Sequence, residues 1–213
     1  MARKERGGMN AEGIFRRIIF VMRSPSGFFS RVKGEKGFRN AFIFYAVISF
    51  ISSVLSLLAP YPFNLLGSFP MLGQGFVIAI FLVFWLLGLL LSFVVNGFFH
   101  LFVMLLGGKG GYHNTYKAFS YGSAPSAILG WISYIFPGIS PGIAGTVLML
   151  VAMIFFIIWG FYITIKGLSI LHKMSTWRSL GVILIPAGIF ALLAAILLMF
   201  AFILAASYGT ALV

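Results

Sequence analysis

The sequence predicts an all-α, polytopic membrane protein. Five transmembrane helices run from a cytoplasmic N-terminus to a C-terminus outside, and a basic amphipathic interfacial helix precedes them. Three observations predict this. Of the 213 residues 61% are hydrophobic and 8% charged, where an ordinary soluble domain carries about 25% charged residues. The apolar residues gather into long runs bounded by proline, glycine or basic loops. Finally, an odd number of crossings puts all 15 Lys and Arg residues on one side of the bilayer, as the excess of cytoplasmic cations in membrane proteins requires; four or six spans would spoil that segregation.

The basic N-terminal segment, residues 1–39, holds ten of the cations and all three acids, Glu5, Glu12 and Glu35. Residues 1–10 read as a solvated tail. From Glu12 to Met22, Ile14, Phe15, Ile18, Ile19 and Met22 recur at helical spacing while Arg16, Arg17 and Arg23 gather on the other side. Such a helix lies among anionic headgroups with its apolar face in the acyl boundary, or packs on the protein's own loops. Ser24 followed by Pro25 reads as an N-cap and a first helical proline. The second short helix carries Phe28, Phe29 and Val32, with Arg31 and Lys33 as further headgroup contacts. No cleavable signal peptide is evident, because Arg16 and Arg17 interrupt the first apolar stretch.

The five-helix membrane domain, residues 40–208, is predicted to span at about 41–59, 76–106, 118–136, 143–165 and 180–206. The first run matches the roughly 20 residues that cross a bilayer. Ser49, Ser52, Ser53 and Ser56 give it a small-residue side suited to close packing, and Pro60 and Pro62 end it. The second is unbroken from Phe76 to Leu106; at 1.5 Å per residue it reaches ~46 Å, so it must tilt, kink or protrude, with Gly88 and Gly97 as flex points. Asn96 and His100 share one face of it. A glycine-rich loop follows, with Lys109 and Lys117 as its charges. In the third run Ala118, Gly122, Ser126 and Gly130 fall at four-residue intervals, and Pro125 removes a backbone bond that a neighbour or a hydroxyl such as Ser123 must re-satisfy. That run is expected at the centre of the bundle. After the uncharged turn PGISPG the fourth run ends at Lys166, which is placed to snorkel to headgroups. The second basic loop, with Lys166, His172, Lys173 and Arg178, leads to the fifth run, interrupted by Pro186 and carrying Ala187, Ala191 and Ala195.

Chemistry is excluded more readily than assigned. Cysteine is absent, so there are no disulfides and no thiolate nucleophile. GGKGGY lacks the spacing of a phosphate loop and leaves a membrane helix where a strand is needed. His100, His113 and His172 all fall near the basic side, but no acid after Glu35 completes a metal site and no HExxH occurs. The same absence argues against aspartyl or zinc proteases and against proton-coupled transport. Asn96 is expected to hydrogen-bond to a neighbouring helix. The net charge of +12 flanks hydrophobic runs and forms no aromatic-interleaved patch, so anionic lipid is the expected partner and nucleic acid is not.

The run GGKGGYHNTYKAFSYGSAP, the second basic loop GLSILHKMSTWRSL and the final VILIP together resemble the Yip family, the Ypt/Rab-interacting membrane proteins. The upstream SPSGFF is similar to a segment preceding the first span of its prokaryotic members, so the resemblance covers residues 24–200. It implies five spans and a cytoplasmic N-terminus. For eukaryotic members the resemblance further implies binding of prenylated Rab-type GTPases; those members carry a longer cytoplasmic N-terminal region, whereas this chain offers a basic segment of 39 residues and looks like a prokaryotic member. Tyr121 and Pro125 carry over as helix-packing positions. The leading expectation is a non-enzymatic membrane-organising or scaffold element of the cell membrane, without cofactor or metal, able to form homo-oligomers or to bind other membrane proteins. The alternative is a transporter or channel whose path Asn96, Pro125 and Pro186 line.

Overall fold

Why the chain breaks where it does follows from its prolines and glycines. The computed structural model describes residues 11–58 and 74–210, with side chains for 13–55 and 75–203. The predicted solvated tail, the Pro60 and Pro62 stop and the end of the chain lie outside the described residues. Those described are mostly helical, with no strand among them.

Helix α1, Ala11–Arg23, turns into α2, Pro25–Val32, at Ser24, whose φ of −142° and ψ of 74° interrupt the helix. Pro25 starts α2 as expected, although the Ser24 hydroxyl makes no capping bond. The two form a hairpin whose inner face buries Ile14, Val21, Phe28, Phe29 and Val32. Helix α3, Arg39–Leu58, has 20 residues, or ~30 Å, and packs Ala41, Phe44 and Ile48 inward. Helix α4, Gln74–Leu105, runs unbroken for 32 residues through Gly88 and Gly97, about 48 Å.

The predicted third span is not one helix. It divides into α5, Tyr112–Gly122, then α6, Ala124–Leu129, a 3₁₀ turn at Gly130–Ile135, and α7, Phe136–Ile139. Pro125 lies in the first turn of α6 and Pro137 in the first turn of α7, positions where a missing N–H is tolerated and helices begin. The small-residue ladder is therefore split: Ala118 and Gly122 are buried, while Ser126 and Gly130 are half-buried on later pieces. The Ser123 hydroxyl donates to Ser120 O and the Ser126 hydroxyl to Ser123 O, covering carbonyls around the break.

Helix α8, Ile143–His172, and helix α9, Thr176–Thr210, complete the bundle. Three helical stretches are long and apolar enough to cross a membrane, namely Gly75–Leu105, Ile143–His172 and Thr176–Ile203, while Arg39–Leu55 is a shorter apolar helix. Helix α5 packs against α8, α4 and α3 and lies beneath α1; α2 lies on α8, and α9 on α8 and α4. The centre of the bundle is therefore α5, which begins several residues before the predicted span. Outward faces of α4, α8 and α9 expose Leu90, Val94, Ile158, Leu197 and many other large apolar side chains. Water would penalise that surface; lipid does not.

Candidate functional site

Tyr121 is the node that joins the N-terminal hairpin to the bundle. It is fully buried, with Phe28 and Phe44 rings at centroid distances of 4.7 and 4.8 Å and Phe29 at 6.4 Å. A buried phenol needs a partner for its hydroxyl, and Arg17 supplies one: Nη1 donates to the Tyr121 oxygen at 2.8 Å. The other nitrogen of the same guanidinium ion-pairs with Glu35 Oε1, and Asn40 Nδ2 donates to Glu35 Oε2 at 3.2 Å. Lys117 Nζ donates to the Glu35 carbonyl. Pro125 is buried one turn beyond Tyr121.

Two expectations are corrected here. Lys117 is no loop cation, because it lies within α5 at 1% exposure under the segment that carries Glu35. Arg17, expected among the headgroup contacts, faces the protein instead. Burial alone works against its charge, but the hydrogen bond and charge of Glu35 and the contact with Tyr121 outweigh it, so its pKa is raised. Arg16, Arg23, Arg31 and Lys33 remain exposed, with the Arg31 guanidinium 5.0 Å from the Phe20 ring centre.

Tight approach between α5 and α8 is set by glycine. A Cβ on Gly122 would collide with Thr164 Oγ1, and one on Gly160 would lie 2.9 Å from Gly122 O. On the hairpin side, a Cβ on Gly167 would lie 2.6 Å from the Phe29 ring. Thus the hairpin and the central helix both seat on glycines of α8.

A second polar group lies between α4, α5 and α8. His100 Nδ1 is 2.8 Å from Thr115 Oγ1, which is 3.0 Å from His172 Nε2. Ser92 Oγ pairs with Tyr116 OH at 3.1 Å, and Tyr112 OH donates to Phe93 O at 2.8 Å. Asn96, 6% exposed, does not reach across to another helix: its Nδ2 donates to Ser92 O on α4 itself, and its Oδ1 has no partner. Among the described residues no group of His and acidic side chains could hold a metal ion. Pro186 is buried within α9, and Lys166 lies 5.9 Å from the Tyr162 ring centre. Sequence reasoning missed Glu35 as a hub and Thr115 as a bridge. Only the placement of Glu35 as the last acid in the chain hinted at the first; nothing marked the second.

Helices that bury a polar and aromatic interior while turning an apolar surface outward define a multi-pass membrane protein. A family model for the Yip1 domain matches residues 19–210, nearly the whole chain, so the protein belongs to the Yip1 domain family, as the motifs around Tyr121 implied. No curated protein and no solved structure matches it.

Proposed function

We propose that this chain is a non-enzymatic membrane-organising scaffold of a prokaryotic cell membrane, anchored by five spans with the N-terminus in the cytoplasm and the C-terminus outside. Its N-terminal hairpin is the part that acts on the bilayer. The observation that carries this reading is the two-sidedness of α1. One side is locked to the bundle through Ile14, Val21 and Arg17. The other exposes Phe15 at 64% and Ile19 at 39%, beside the exposed Arg16 and Arg23. An apolar and cationic face held rigidly against a membrane domain fits the boundary between acyl chains and anionic headgroups. A rigid wedge at that depth in one leaflet organises the lipids around it, and its small-residue contacts serve packing or homo-oligomers.

The absence of cysteine makes the test direct. A nitroxide is attached at Ile19→Cys in the full chain, reconstituted in vesicles with or without anionic lipid. Collision with oxygen is expected to exceed collision with an aqueous nickel chelate, and the label is expected to sit deeper with anionic lipid. A label equally open to water in both vesicles overturns the proposal.

A further inference from the structure

The glycine-rich loop is a clasp over the end of α8. The last turn of a helix leaves carbonyls without intrahelical partners. Here Lys109 N–H donates to His172 O at 3.1 Å and Asn114 Nδ2 to Leu171 O at 3.4 Å, so two of those carbonyls are covered from the other side of the bundle. Glycine is required for this approach: a Cβ on Gly110 would lie 2.7 Å from His172 Nδ1, and one on Gly108 would collide with Val103. Gly107 turns the chain into the loop at a φ of 81°, a conformation that favours glycine.

One bond in this clasp fixes a protonation state. Gly110 N–H points at His172 Nδ1 from 3.1 Å. A backbone amide can only donate, so Nδ1 must be bare, and a neutral ring then carries its hydrogen on Nε2. Nε2–H donates to Thr115 Oγ1, and the threonine hydroxyl passes its own hydrogen to Nδ1 of His100. We propose that this Gly110–His172–Thr115–His100 chain is a proton-operated latch, which holds the loop on α8 while both imidazoles are neutral and releases it in acid.

The surroundings explain why an added proton is met by release. His172 is fully buried. His100 faces it from α4, ring centres 6.0 Å apart; His113 comes from α5, Lys109 from the loop itself, and Lys173 and Arg178 follow α8, while Lys117 of α5 is turned away to the Glu35 carbonyl. The Arg178 guanidinium reaches to 3.6 Å from where a Gly107 Cβ would lie. No acid occurs after Glu35, and the Glu35 carboxylate is taken by Arg17 and Asn40. A second proton on His172 therefore meets an N–H aimed at its new hydrogen, with no carboxylate to neutralise it among the described residues. Docking favours the neutral ring, so it is complete above the ordinary imidazole range and weakens as the pH falls through and below it.

The full chain is labelled with a nitroxide at Lys109→Cys, and label mobility is followed from about pH 8 to about pH 4, spanning the imidazole range. Severalfold faster label motion is expected at the acid end. In His172→Asn the side-chain oxygen keeps an acceptor for Gly110 but cannot titrate, and the label is expected to stay immobile throughout. Unchanged mobility in the parent chain, or an equal rise in His172→Asn, overturns the proposal. Nitrogen NMR of the unsubstituted chain, with its three histidines, reads the tautomer independently: a His172 bearing its hydrogen on Nε2 at neutral pH supports the latch, and one bearing it on Nδ1 overturns it.

Discussion

Gly122 has no room for a side chain, because a β-carbon there falls inside Thr164 Oγ1, itself bonded to Gly160 O at 2.9 Å. Gly122→Ala is therefore expected to lower stability by about 1–3 kcal/mol, the usual range for overpacking a well-fitted core, seen as a drop in the thermal midpoint of the detergent-purified protein. Adding Thr164→Ala removes the colliding oxygen and should restore part of the loss; a double variant no better than Gly122→Ala alone would place the strain elsewhere. At Tyr121 the hydroxyl matters separately from the ring. Tyr121→Phe keeps the three phenylalanine contacts but leaves one Arg17 N–H unpaired in a half-buried site, for an expected cost of about 1–2 kcal/mol, whereas Phe in place of Tyr would be neutral if the hydroxyl only faced lipid.

At the scale of elements, the α1–α2 hairpin is held by two different kinds of contact. Helix α2 sits through Phe28, Phe29 and Val32 on a bare strip of α8 at Gly167, and α1 is tied chiefly by the Arg17 bridge to Tyr121 and Glu35. Glu35→Gln weakens the bridge and leaves the apolar seat alone, so amide exchange should quicken across 11–23 while 25–32 stays protected; loosening of both helices together would mean that the hairpin opens as one unit. The hairpin also shows what could be read beforehand. Its two helices and the Ser24–Pro25 turn follow from apolar spacing and proline chemistry, which act locally, whereas Tyr121 is marked only by the family resemblance. The inward turn of Arg17 and the burial of Lys117 do not follow from either, because Arg17 meets Tyr121 from 104 residues away and Lys117 meets Glu35 from 82 residues away. The division of 118–136 into short pieces was missed for a related reason: hydropathy reports where lipid-compatible residues lie and is blind to whether Pro125 and Pro137 open new helices or merely bend one. The meeting of His100 and His172 through Thr115 is a tertiary contact that no spacing in the sequence encodes.

Over the whole molecule, charge and apolar surface are separated along one axis. The glycine-rich clasp joins the ends of α4, α5 and α8 at the same pole where Lys109, Lys173 and Arg178 lie, and the apolar outer surface of α4, α8 and α9 extends away from it. All three of those helices are far longer than a hydrocarbon core of ~30 Å demands, since α4 has 32 residues, α8 has 30 and α9 has 35, so they must tilt or project beyond it. With α3 and the broken α5–α7 segment as further crossings, the proposed topology puts the clasp and the N-terminal hairpin on one side and the end of α9 on the other. Single cysteines placed at Lys109, Lys173 and the C-terminal Val213 of the otherwise cysteine-free chain separate the possibilities in intact cells. A membrane-impermeant thiol reagent should label position 213 from outside and reach 109 and 173 only after the membrane is opened. Should position 213 share the protection of 109 and 173, α9 does not carry the chain across the bilayer, and the proposed fifth crossing with the C-terminus outside is overturned.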